Sequence, residues 1–133
     1  MELRTLIWEA ITQDEQLNSL FGGTVRLYNT WSQPDSPYPY AVYRISELPQ
    51  DPWIVTQAEV NIDIFSRTDT QARALEIERR IREMFGHQHF DGYRFFHTIT
   101  MEVPEDTRYV WHINQVWTVR YTQDWRLENA AGI

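Results

Sequence analysis

Residues 55–86, VTQAEVNIDIFSRTDTQARALEIERRIREMFG, contain both periods from which the fold is built. From Val55 to Ser66, Ala58, Val60, Ile62 and Ile64 fall on one side, and Glu59, Asn61 and Asp63 on the other. That two-residue repeat predicts a strand with one buried face and one solvated face. After Thr68 the repeat changes. Ala74, Ile77, Ile81, Met84 and Phe85 form a stripe at helical spacing, with Arg73, Glu76, Arg79, Arg80 and Glu83 opposite. Thr68 and Gln71 are spaced as a capping box, Glu76 and Arg80 as a favourable i,i+4 pair, and Gly86 predicts the stop.

Upstream, Leu3, Leu6, Ile7, Ala10 and Ile11 mark one face of a helix. Thr12 and Glu15 suggest a capping box for a short second turn carrying Leu17, Leu20 and Phe21, which Gly22-Gly23 ends. Thr24 to Asn29 reads as a short strand, residues 30–39 as a proline loop, and Tyr40 to Glu47 as a second strand. A further proline break at 49–52 leads into the quoted stretch. Downstream, Tyr93, Phe95, Ile99, Met101 and Val103 alternate with Arg94, Thr98, Thr100 and Glu102. Trp111, Ile113, Trp117, Val119 and Tyr121 alternate with His112, Asn114, Thr118 and Arg120. Joined by the turn Pro104-Glu105-Asp106-Thr107, these two runs predict a long hairpin.

The predicted order is α-β-β-β-α-β-β, an α+β fold. It has an antiparallel-rich sheet of about five strands with two main helices packed on one face. Residues 1–123 form one domain, and the pattern fades over a C-terminal tail at 124–133.

The chain has 133 residues, enough for a single core. Its 42% hydrophobic and 14% aromatic content excludes a disordered or collagen-like chain. No apolar run is long enough to cross a bilayer, and the acidic start lacks a signal-peptide pattern, so a soluble intracellular domain with no membrane partner is expected. With no cysteine, disulfides, thiolate metal sites and a cysteine nucleophile are excluded. All twelve basic residues are arginines, which removes lysine chemistry.

No catalytic signature emerges from the remaining residues. His87 and His89 lie in a loop after the helix. His97 and His112 fall on the last two strands, where a symmetric hairpin would bring them together, with Asp91 a possible third metal ligand. No pair has a recognised ligand spacing, and solvated histidine is the plainer reading. Glu59, Asp63 and Glu102 look like a solvated sheet face rather than a catalytic pair. Gly22-Gly23 follows a helix rather than opening one, so it is not a phosphate loop. Arg73, Arg79, Arg80 and Arg82 cluster on one helix, but Glu76, Glu78 and Glu83 interleave with them. With a formal net charge of -7, phosphate-driven nucleic-acid binding is disfavoured. Trp31 and Trp53 sit in the two proline loops with no periodic reason for burial. Each is either tucked over the core or exposed as a partner contact.

Four stretches in order carry a resemblance. They are Leu20-Phe21-Gly22-Gly23-Thr24-Val25-Arg26-Leu27-Tyr28, Pro39-Tyr40-Ala41-Val42-Tyr43, Val60-Asn61-Ile62-Asp63-Ile64-Phe65-Ser66 with its helix, and the closing strand Trp111 to Tyr121. Over roughly residues 1–123 the chain resembles the tail-completion or tail-terminator family of long-tailed bacteriophages (the DUF3168-like group), which has relatives in prophages and gene transfer agents. The resemblance implies a non-enzymatic virion protein without cofactors. It would assemble with itself as a hexameric ring on the head-proximal end of the tail tube and stop tube polymerisation. Its other partners would be the major tail tube protein and the head-tail connector, with DNA only passing through the ring, whose lumen the net charge alone suggests is acidic. The candidate partner and ring contacts are Trp31, Trp53, Arg73, Arg79, Arg80 and Arg82. Two alternatives stay open: another neck or baseplate adaptor of related fold, and a small-molecule or metal-binding domain using His97 and His112.

Overall fold

A computed structural model describes residues 2–32, 35–47, 56–87, 90 and 92–121. The elements are α1 (Leu3–Thr12), α2 (Glu15–Leu20), β1 (Leu27–Asn29), β2 (Tyr40–Glu47), β3 (Thr56–Arg67), α3 (Ala72–His87), β4 (Tyr93–Val103) and β5 (Val110–Tyr121). They form an α+β fold with one five-stranded sheet in the order β1-β2-β3-β5-β4. The expected element order is present, with the first helical region divided in two. The sheet is mixed: β1 runs parallel to β2, and every other pairing is antiparallel.

The helical ends depart from expectation in instructive ways. Asp14, rather than Thr12, caps α2: its Oδ2 accepts the Leu17 N–H at 2.9 Å. The Thr12 hydroxyl instead donates back to the Trp8 carbonyl at 2.6 Å. Gly22 and Gly23 stop α2 as expected, with φ of 88° and 130°, and the Gly23 N–H donates to the Asn18 carbonyl at 2.7 Å. Helix α3 runs through Gly86 to His87, so Gly86 is not its stop. The Thr68–Gln71 capping box is absent too. Thr68 donates to the Thr70 carbonyl, and the Gln71 amide is drawn away to Glu102 on β4.

All three helices lie on one face of the sheet. Ala58, Val60, Ile62 and Ile64 of β3 meet Ile113, Trp117 and Val119 of β5 beneath Ile7 and Ile11 of α1, Leu17 of α2, and Ala74, Ile77, Ile81 and Phe85 of α3. Truncating one of these buried isoleucines to alanine is worth about 2–5 kcal/mol. One polar network crosses this core. Glu78 is buried against the sheet, where its carboxylate accepts from Thr100, Gln115 and Arg82 at 3.0–3.1 Å. The buried Gln115 in turn accepts from the Trp117 indole N–H at 2.6 Å. Glu78 is therefore part of the interior, not of the solvated helix face that the charge pattern suggested.

The largest departure is in β4. Its register with β5 slips between His97 and Ile99, which leaves Thr98 as an extra residue. Such a bulge reverses which face each later residue occupies. Tyr93 and Phe95 pack against the core as the alternation predicts. Beyond the bulge Thr100 points to Glu78, while Ile99 and Met101 turn outward and are 44% and 45% exposed. Both had been expected on the buried face.

Candidate interaction surfaces

The histidines test for metal chemistry first. His97 pairs with Trp117 and His112 with Val103, so the two rings project from opposite faces of the hairpin. His97 lies edge-on to the Trp117 ring and shares a 2.7 Å hydrogen bond with Thr100. The proposed His97–His112 pairing is thus contradicted by strand alternation itself. Asp91 and His89 lie outside the described residues. Among the described residues no group of three or more His, Asp or Glu is arranged to hold a metal ion.

His112 instead belongs to a charged cluster on the helix-free face. Its Nε2 is 2.7 Å from Asp63 Oδ1, and its Nδ1 is 2.8 Å from Glu105 Oε1. Two carboxylates facing two ring nitrogens are satisfied together only by an imidazolium that donates from both. Phe65 stacks on the ring at 4.1 Å between centroids, and Tyr40 stacks on Phe65 at 4.8 Å. Asp63 also accepts from Asn114 at 3.1 Å and from Arg44 at 3.2 Å. Burial pulls the His112 pKa down, but Asp63 and then Glu105 outweigh it and the net shift is upward. For Asp63 burial pushes up, while His112, Asn114 and Arg44 together hold the carboxyl below its ordinary value. Asp63 is consequently 7% exposed rather than part of a solvated face. The cluster ties β2, β3 and β5 to the turn between β4 and β5.

The arginines of α3 are mostly engaged within the fold. Arg80 grips Asp14 with two hydrogen bonds of 3.0 and 2.6 Å, which joins α3 to the cap of α2. Arg82 pairs with the buried Glu78. Arg73 reaches the Leu20 carbonyl at 3.4 Å, and Arg79 lies exposed beside the groove between α2 and α3. Trp31, by contrast, is 81% exposed. Its N–H donates to the Asn29 carbonyl at 2.8 Å, closing a three-residue turn around Thr30, whose φ is 72°. A β-branched residue in that region is strained, and the turn aims the indole away from the core. Trp53 lies outside the described residues.

Sequence reasoning missed one surface. Phe96, Ile99 and Met101 of β4 are 44–46% exposed on the helix-free face. Only the bulge puts the last two there, and nothing in the residue pattern marks it. The strands place Arg44, Arg67, Arg94, Arg120 and His112 on this face against Glu59 and Asp63, with Glu105 reaching it from the turn, so it is basic on an otherwise acidic chain. Arg94 and Arg120 stand directly opposite each other, and the Arg120 guanidinium lies 5.5 Å from the Phe96 ring centroid.

No protein-family model and no curated protein matches this chain. Solved structures do. A chain of the virion of a native gene transfer agent particle superposes with a TM-score of 0.67 at 12% identity, covering 90% of this chain and 93% of that one. The bacteriophage SPP1 gp17 protein superposes with a TM-score of 0.52 at 23% identity, covering 92% and 88%. At these identities the likeness is one of fold. The chain has the fold of two proteins from phage-like particles, and no domain-sized part of it is left over.

Proposed function

We propose that this protein is a structural, non-enzymatic subunit of a tailed phage or gene transfer agent particle. As a tail-completion protein it forms a ring on the head-proximal end of the tail tube, ends tube growth and offers the surface to which the head connector docks. The observation carrying this reading is the pair of superpositions onto phage and gene transfer agent proteins, each spanning about nine-tenths of this chain. Two features support it. Charged side chains such as His112, Asp63, Glu78 and Arg80 are spent on contacts within the fold. An exposed tryptophan and an exposed apolar strand remain as contact surfaces.

The reading is tested in a strain that produces the particle. Deleting the gene is expected to leave heads without attached tails and tails of uncontrolled length, both visible by negative-stain microscopy and reversed by the gene in trans. Particles of normal form and tail length from the deletion strain would overturn it. Immunogold label at the distal tip instead of the head-tail junction would favour a baseplate adaptor.

A further inference from the structure

Resting on the ring-subunit reading, we propose that Trp31 of one copy docks on the β4 surface of the next copy. Its seat is the patch of Phe96, Ile99 and Met101, flanked by Arg94 and Arg120. The two surfaces sit at opposite edges of the sheet, Trp31 just past β1 and the patch on β4. A contact between two different surfaces of one chain is heterologous. It passes from copy to copy until the rotation closes, whereas a self-matching patch would stop at a dimer.

The two sides match in chemistry. Residues 30–39 contain Asp35 and no arginine. Arg26, which reaches the base of this loop, spends its donors on the carbonyls of Phe21, Pro37 and Pro39. The receiving surface is basic and apolar, and its facing Arg94 and Arg120 concentrate positive charge at one end. Arg120 already lies against one aromatic ring, and an incoming indole offers a second face for a guanidinium. The Thr30 turn holds Trp31 outward before any partner arrives, so little ordering is lost on docking. Strand β4 is also an eleven-residue edge strand, so the patch is open along one side of the sheet.

The test uses a photo-reactive benzoylphenylalanine in place of Trp31, mixed with isotope-labelled wild-type protein and irradiated. Mass spectrometry is expected to find adducts on labelled peptides spanning residues 94–103. Trp31→Ala and the double substitution Arg94→Glu/Arg120→Glu alter exposed side chains, so melting temperature should be retained. Each should raise the concentration needed for assembly at least about tenfold, as loss of a central aromatic or arginine anchor does. Adducts confined to another surface, such as α1 around the half-exposed Trp8, would overturn this docking while wild-type assembly kept the ring reading intact. Unchanged assembly of both variants would do the same. A wild type that stays monomeric alone and on purified tail tubes overturns the ring reading and this contact with it.

Discussion

At the scale of single residues, the two partners of one ion pair, His112 and Asp63, carry opposite pH signatures. The folded His112 pKa is raised, so its contribution is complete below the unfolded value near 6.5 and is lost as pH rises through the folded value. The folded Asp63 pKa is lowered, so its contribution is present above the unfolded value near 3.8 and is lost as pH falls through the folded one. The cluster should therefore be strongest between those limits. Thermal melts from pH 5 to 9 should show wild-type stability declining on the alkaline side, and His112→Gln should flatten that slope. An equal slope in both proteins would remove the imidazolium assignment. Gln115→Leu tests the second network, because it leaves the Trp117 indole N–H and the Glu78 carboxylate short of a buried partner. Denaturant titration should report a loss of about 1–3 kcal/mol.

Elements are joined by residues with two tasks. Asp14 caps α2 and also holds Arg80 of α3, whose hydrogen bond is the main cause of its lowered pKa. Asp14→Ala is expected to cost about 1 kcal/mol for the cap, plus a smaller amount for the partly exposed pair. Arg80→Ala should recover only the second part, and a double-mutant cycle separates the two. In β4 the bulge at Thr98 is what lets Thr100 reach Glu78 while Ile99 and Met101 face outward. Removing Thr98 would join His97 to Ile99 in continuous register, with Thr100 still facing Glu78 and Ile99 and Met101 still outward. That change should cost about 1 kcal/mol or less, since the one contact it removes is the exposed Thr98–Thr118 hydroxyl pair. Chemical denaturation of the deletion variant measures it.

On the scale of the whole molecule, a heterologous contact that closes predicts a discrete assembly. Mass photometry or sedimentation should find one integer multiple of 16.0 kDa that does not grow with concentration. A continuous ladder of sizes would mean that the contact does not close.

Much of this molecule was legible in its residues. The alternation of Ala58 to Ile64 and the stripe from Ala74 to Phe85 define the buried faces, because the two-residue and 3.6-residue periods are properties of the local backbone. The Gly22-Gly23 stop and the long hairpin were legible for the same reason. Other features exist only once distant segments meet. Asp63 and His112 lie 49 positions apart, and each looked solvated until β3 and β5 were side by side. Glu78 read as one more charge on a polar face until Gln115 and Thr100 met it across the sheet. A bulge leaves no mark on composition, so the outward stripe of β4 was hidden within an ordinary alternating run. The local chain thus sets which elements form and which of their sides seek burial. Pairing across the sheet sets which polar groups are satisfied inside and which apolar ones are left for a partner, since both depend on neighbours that no single segment contains.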